Sequence, residues 1–175
     1  MHGFAVPVII LLYINQFKMK RILFLVAFIA TAFVQQNFAQ ENTKTTSSQL
    51  LNAYYQLKDN LVKSNAAAAT ASAAVLVQAI NDTDTQILKD DARANLLRDA
   101  SAIAQSGDIK IQRVKFSTLS DNMFELAKSV KLSTEPVYQQ YCPMKKASWL
   151  SNDRAIKNPY YGSAMLTCGS VKATL

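Results

Sequence analysis

Between Leu50 and about Val130 apolar side chains return every three or four residues, and that spacing predicts a bundle of helices. Leu50, Leu51, Tyr54, Leu57, Leu61 and Val62 form one stripe, as the buried face of an amphipathic helix requires. Ser47 or Ser48 is placed to cap that helix. The segment SNAAAATASAAVLVQAIN follows. Alanine loses no side-chain entropy in a helix, so a second helix is expected, capped by Asn65 and burying Val75, Leu76, Val77 and Ile80. Its small residues let a neighbouring helix approach closely. After the polar break NDTD a third helix is expected over about 85–105, closed by Gly107, which tolerates the left-handed conformation. Asp108 then caps a fourth helix, with Ile111, Val114, Leu119, Met123, Leu126 and Val130 turned inward. Four helices with short connections pack most simply as an antiparallel, up-down four-helix bundle, so the expected class is mainly α.

After Lys131 the texture changes. Pro136, Pro143 and Pro159 fall here, with Gly162, Gly169, both cysteines and the only tryptophan, Trp149. VYQQY has the alternation of a short strand, and AMLTCGSV is its expected partner. SWLSNDRAIKNPYYG between them reads as a turn or helical turn followed by an aromatic loop. Residues 132–175 are thus expected to form a small hairpin-like, loop-rich module on a single helical domain spanning 49–175.

The chain ahead of that domain has a different character. Residues 19–39 have the anatomy of a cleaved secretory signal, with Lys20 and Arg21 before an apolar core from Ile22 to Val34 and a small residue at Ala39. That core is shorter than the roughly 20 residues a membrane span needs, so no stable span is expected in the mature form. The apolar stretch 1–18 ahead of the basic start is unusual for a signal and is explained by translation beginning at Met19. QENTKTTSS, residues 40–48, is polar and reads as a flexible lead-in. About 135 residues remain, enough for one domain with a core. Export to the periplasm would place both cysteines in an oxidising compartment.

Composition then excludes several chemistries. The whole chain holds 19 basic and 12 acidic residues, and losing Lys18, Lys20 and Arg21 with the leader brings the net charge to +4. The basic residues are interspersed with acidic ones, so nucleic acid is not an expected partner. The single histidine, His2, lies in the leader, which removes histidine-based catalysis and histidine-rich metal sites from a mature chain. No glycine-rich phosphate loop, nucleophile elbow or haem-attachment motif is present. Asp90 and Asp91 lie among Lys89 and Arg93 as a solvated helix surface. The domain is therefore expected not to be an enzyme.

What chemistry remains is sulfur. Cys142 and Met144 are two apart, on one face if the strand continues through them; Met165 and Cys168 are three apart, on one side of a helical turn. Pairing of the two segments would converge two thiols and two thioethers, a donor set that suits copper(I) or silver(I). The same two cysteines also fit a disulfide, which would contribute about 3 kcal/mol for a loop of this length, with the methionines as core filler. On residue types alone both alternatives stand, with free thiols as the third. Trp149, Tyr141, Tyr160 and Tyr161 fit either a ligand pocket or the module's own small core. Lys145, Lys146, Arg154 and Lys157 read as a solvated rim.

The pieces VYQQYCPM, WLS and IKNPYYGSAMLTCGSV, in that order, resemble a family of exported bacterial proteins built on a domain of unknown function, with a YCPM…NPYYG…MLxCG signature. The resemblance runs from about Leu50 to Val171, and its distinctive part is the tail. A similar domain is found appended to periplasmic adaptor proteins of copper and silver efflux systems. The resemblance implies a helical domain with a sulfur-bearing C-terminal element tied to heavy-metal handling, and an efflux adaptor or related component as partner. Its motif residues here are Cys142, Pro143, Met144, Trp149, Asn158, Pro159, Tyr160, Gly162, Met165, Cys168 and Gly169. CPM also resembles the start of a heavy-metal-binding motif that continues with histidine and proline, but Lys145 and Lys146 follow here.

Overall fold

The structure, a computed structural model, describes residues 46–175. The signal segment 1–39, the start at Met19 and the first part of the lead-in lie outside the described residues. Helix α1 already runs at residue 46 and continues to 62, so 46–48 of the expected lead-in are helical and Ser47 and Ser48 lie within the helix. Helices α2 (Ala66–Asp82), α3 (Asp90–Ala104) and α4 (Ile109–Ser129) follow. Together the four make the expected antiparallel bundle, with α3 packed on both α2 and α4.

Local chemistry fixes the helix ends. Asn65 caps α2 by accepting a hydrogen bond from the Ala68 N–H at 3.0 Å, and Asp108 caps α4 by accepting from the Lys110 N–H at 2.8 Å. The last carbonyls of α2 have no partners inside the helix. The Arg93 guanidinium covers them, donating to Ile80, Asn81 and Thr83. The third helix is shorter than expected, starting at Asp90 after a turn, and it closes on Gln105. Gly107 does not adopt the left-handed conformation expected of it.

Two faces are rotated from expectation. On α4, Ile111 and Val114 are half exposed, whereas Gln112, Phe116, Leu119, Ser120, Met123 and Leu126 are buried. On α2, Val75 is exposed, and Ala69, Ser72, Ala73, Leu76 and Ile80 face inward. The small residues explain the second case. α1 comes close enough for Asn60 Nδ2 to donate to Ser72 Oγ at 2.7 Å, which a bulky side chain at that position would prevent.

The tail is a three-stranded antiparallel sheet in the order β2-β1-β3: β1 (Tyr138–Cys142), β2 (Ala147–Ser151) and β3 (Ser170–Thr174). ASWLS, expected as a turn, is therefore a strand, pairing Gln140 with Trp149 and Cys142 with Ala147. AMLTCGSV contributes only its end to β3, because Gly162–Met165 winds into a 3₁₀ turn first. Strand β2 packs on α4. Aromatic rings carry the core from the bundle into the sheet: Tyr54 stacks on Phe116 at 5.3 Å, and Tyr160 touches both Phe116 and Trp149 at 5.9 Å. The Tyr54 hydroxyl accepts from the Leu150 N–H at 3.0 Å and lies 2.7 Å from Ser120 Oγ, joining α1, β2 and α4 at one buried point.

Candidate functional site

Proline has no backbone N–H to give to a ladder, so Pro143 ends β1 at Cys142. Residues 143–146 form the turn to β2, closed by the Lys146 N–H donating to the Cys142 carbonyl at 2.8 Å, with Lys146 in the left-handed region at φ 56°. Cys142 is thereby fixed at the end of the central strand with its side chain fully buried. Cys168 approaches from the other side of the module, in the connection between the 3₁₀ turn and β3, and is partly exposed. The two sulfurs, 26 residues apart in sequence, face each other at 3.1 Å.

The Cys168 thiol is the hydrogen-bond partner of the Cys142 sulfur, and the backbone of Lys145 and Met144 and the Asn158 side chain also favour charge on it. Burial pushes the Cys142 thiol up, but together these outweigh it and hold the thiol below its ordinary value. The Cys168 thiol moves the other way, chiefly because its proton is shared with Cys142. The pair therefore loses its first proton more easily than an ordinary thiol and its second less easily.

Asn158 is itself immobilised. It is fully buried, its Nδ2 donates to the Cys168 carbonyl at 2.8 Å, and its Oδ1 accepts from the Tyr160 N–H at 2.8 Å. The next residue ties the loop to the helices: Arg113 Nε donates to the Pro159 carbonyl at 2.8 Å, while Nη2 reaches the Leu61 carbonyl and Ser64 Oγ. Gly162 sits in the left-handed region at φ 57°, pressed against Ser64, Arg113 and Val62. The NPYYG segment is thus a lock between bundle and thiols.

The methionines fall differently from the expectation of one shared face. Because the strand stops at Cys142, Met144 lies in the turn and is 65% exposed; Met165, in the 3₁₀ turn, is 36% exposed. The structure brings the two thiols together and leaves both thioethers at the surface of the neighbouring turns. Trp149 and Tyr160 are core, with the indole against Gly169 and the Tyr160 hydroxyl donating to the Ser148 carbonyl. Tyr141 and Tyr161 are partly exposed. Lys146, Arg154 and Lys157 are exposed and Lys145 is half-buried, and Lys157 pairs with Asp153 at 3.3 Å. Among the described residues there is no group of three or more His, Cys, Asp or Glu side chains placed to hold a metal ion. A cavity of about 610 Å³ lies at the end of α4, lined by Val130, Leu132, Val137 and Leu175 among others, and neither cysteine lines it. No helix among the described residues is long and apolar enough to cross a membrane.

The turn that closes on the Cys142 carbonyl through the Lys146 N–H and the role of Arg113 were not foreseen from the sequence. The CP pair held the signal for the first, since a proline after a strand residue opens a turn whose N–H groups fold back. Arg113 gave no signal, being one basic residue on a helix surface.

Comparison with curated proteins and with solved structures gives no match. Residues 50–135 match the model of a family described as "Protein of unknown function (DUF3347)", and the YCPM…NPYYG…MLxCG signature lies beyond the matched residues. The helices that carry the sulfur-bearing sheet thus form a DUF3347 domain, at residues 50–135.

Proposed function

We propose that this is an exported, periplasmic, non-enzymatic domain that binds copper(I) or a similar soft cation such as silver(I), buffering it or passing it to an efflux component. The observation that carries this reading is the Cys142–Cys168 pair, two sulfurs at 3.1 Å, with the Cys142 thiol held below its ordinary value. Thiolate is the form that binds soft metals. Cys142 and Cys168 would hold the ion, and Met144 and Met165, exposed on the adjoining turns, would have to swing in to serve as thioether ligands. Resemblance of the tail to domains appended to copper and silver efflux adaptors supports the same partner class. Titration of the reduced protein with copper(I) against a competing chelator tests it. The Cys142→Ser/Cys168→Ser variant should lose affinity at least about 100-fold, since losing even an outer-shell partner of a metal ligand costs roughly 10–100-fold. Equal affinity in the two proteins would end the reading.

A second reading, a disulfide-stapled structural or interaction module without metal, draws on the same separation. The sulfurs need only about 1 Å of approach to reach bonding distance. Intact mass after alkylation, with and without reductant, separates the two. A bridge that reductant opens only in denaturant supports the staple.

A further inference from the structure

We propose that Cys142 and Cys168 form a reversible thiol–disulfide couple of fixed polarity, in which Cys168 exchanges with external thiols and Cys142 leaves and resolves. The proposal deepens the soft-metal reading by supplying its regulation, since a bridged pair has no thiolate to offer a cation. It rests on that reading only for this consequence.

The two ends of the pair are unequal. Cys142 is fully buried at the end of the central strand, paired with Ala147 across the hairpin. Cys168 lies in a connection and is partly exposed. Exchange requires the attacking thiolate to reach a sulfur from the side opposite the leaving sulfur, so access selects Cys168. The leaving end is also prepared. As the S–S bond breaks, negative charge develops on Cys142 Sγ, at the start of the 143–146 turn that the Lys146 N–H closes on the Cys142 carbonyl, with the Cys168 sulfur 3.1 Å away in the reduced pair. Asn158, held by the Tyr160 N–H, donates to the Cys168 carbonyl and so fixes the backbone of the attacked end opposite Cys142.

The steps balance. A small external thiolate attacks Cys168 Sγ, the Cys142–Cys168 bond breaks, and its electron pair leaves on Cys142 as thiolate. A second external thiolate attacks the outer sulfur of the mixed disulfide, releasing Cys168 thiolate and the external disulfide. Two external thiols are oxidised and one protein disulfide is reduced. In reverse, Cys168 passes its proton to the Cys142 thiolate 3.1 Å away and opens the external disulfide, expelling one external thiolate; Cys142 then releases that proton to solvent and attacks Cys168 Sγ to expel the second. The sulfurs begin that step 3.1 Å apart.

The test uses metal-free protein in the presence of a chelator, with Cys142→Ser and Cys168→Ser each retaining one thiol. An aromatic disulfide reagent should react with Cys168 in the first variant at least about 10-fold faster than with Cys142 in the second, because each variant lacks the thiol that shifts its partner's ionisation and only Cys168 is accessible to the reagent. In denaturant the two rates should converge. Independently of any variant's folding, wild type treated briefly with glutathione disulfide and acid-quenched should carry its mixed disulfide on Cys168, located by peptide mass. A mixed disulfide on Cys142, or equal or reversed native rates, would overturn the polarity. A native bridge that millimolar glutathione leaves closed would overturn the reversibility. Correct polarity without copper(I) affinity would remove the metal reading and leave the couple standing; copper(I) affinity with Cys142 attacked first would do the opposite.

Discussion

Gly162→Ala is the sharpest test of how the thiol corner is held. Gly162 sits at φ 57°, where an L side chain costs about 1–2 kcal/mol because Cβ crowds the following carbonyl. The added Cβ would also lie 2.5 Å from Ser64 Oγ, 2.8 Å from Arg113 Nη2 and 2.8 Å from the Val62 carbonyl oxygen. Ser64 can rotate away, but the Val62 oxygen is backbone. Arg113 cannot yield without losing its hydrogen bonds to Pro159 and Leu61. Relieving such overpacking costs about 1–3 kcal/mol, so the substitution should destabilise the reduced protein by about 2–5 kcal/mol in all. In a domain of this size that lowers Tm by roughly 6–15 °C. Urea unfolding followed by Trp149 fluorescence reads the effect. Gly107→Ala is the internal control: nothing lies within 4 Å of its Cβ position and its backbone is not left-handed, so its stability should stay within about 1 kcal/mol of wild type. A Gly162→Ala protein within about 0.5 kcal/mol of wild type, the range of neutral surface changes, would refute the lock. So would a Gly107→Ala protein that loses as much.

Three further outcomes are expected. Tyr54→Phe removes the acceptor of the buried Leu150 N–H and should cost about 1–3 kcal/mol in chemical denaturation. A cost under about 0.5 kcal/mol would show that this junction does not hold the sheet to the bundle. Oxidation of the thiols should quench Trp149, whose ring lies against Gly169 beside Cys168, and the double-serine variant should show no change. For the reduced protein, the lowered Cys142 ionisation adds stability that is full above the ordinary thiol value of 9.0 and lost as pH falls through the folded value. The raised Cys168 ionisation subtracts stability as pH rises past 9.0. Relative to the double-serine variant, stability should therefore peak near pH 9, and a monotonic difference curve would contradict the shared proton.

Much of the bundle was legible because helix signals are local. Asn65 and Asp108 cap where a short polar side chain before an apolar run must, and Leu50, Tyr54, Leu57 and Leu61 are buried as their spacing requires. Periodicity failed where a segment carried two candidate stripes. On α4, Ile111 and Val114 compete with Phe116, one position off the same stripe, and nothing local says that Phe116 has Tyr54 and Tyr160 to pack against. The strand ASWLS was missed for a related reason, since its identity comes from pairing with Tyr138–Cys142.

The thiol site shows where local rules stop and topology takes over. Spacing placed Met144 with Cys142 only on the assumption of a continuing strand, and Pro143 removes that assumption. The meeting of Cys142 and Cys168 has no local signal, because it arises from β3 returning along the free edge of β1. What the tail motif does encode is the means of holding that meeting in place. Asn158 donates to the Cys168 carbonyl, the Pro159 carbonyl takes the Arg113 guanidinium, Tyr160 fills the space between Phe116 and Trp149, and Gly162 allows the turn to seat on the end of α1. A loop fixed at so many points cannot let Cys168 drift from Cys142 without also loosening the aromatic core. The motif's residues therefore act through the geometry of two thiols, and substitutions among them should shift thiol reactivity and unfolding together.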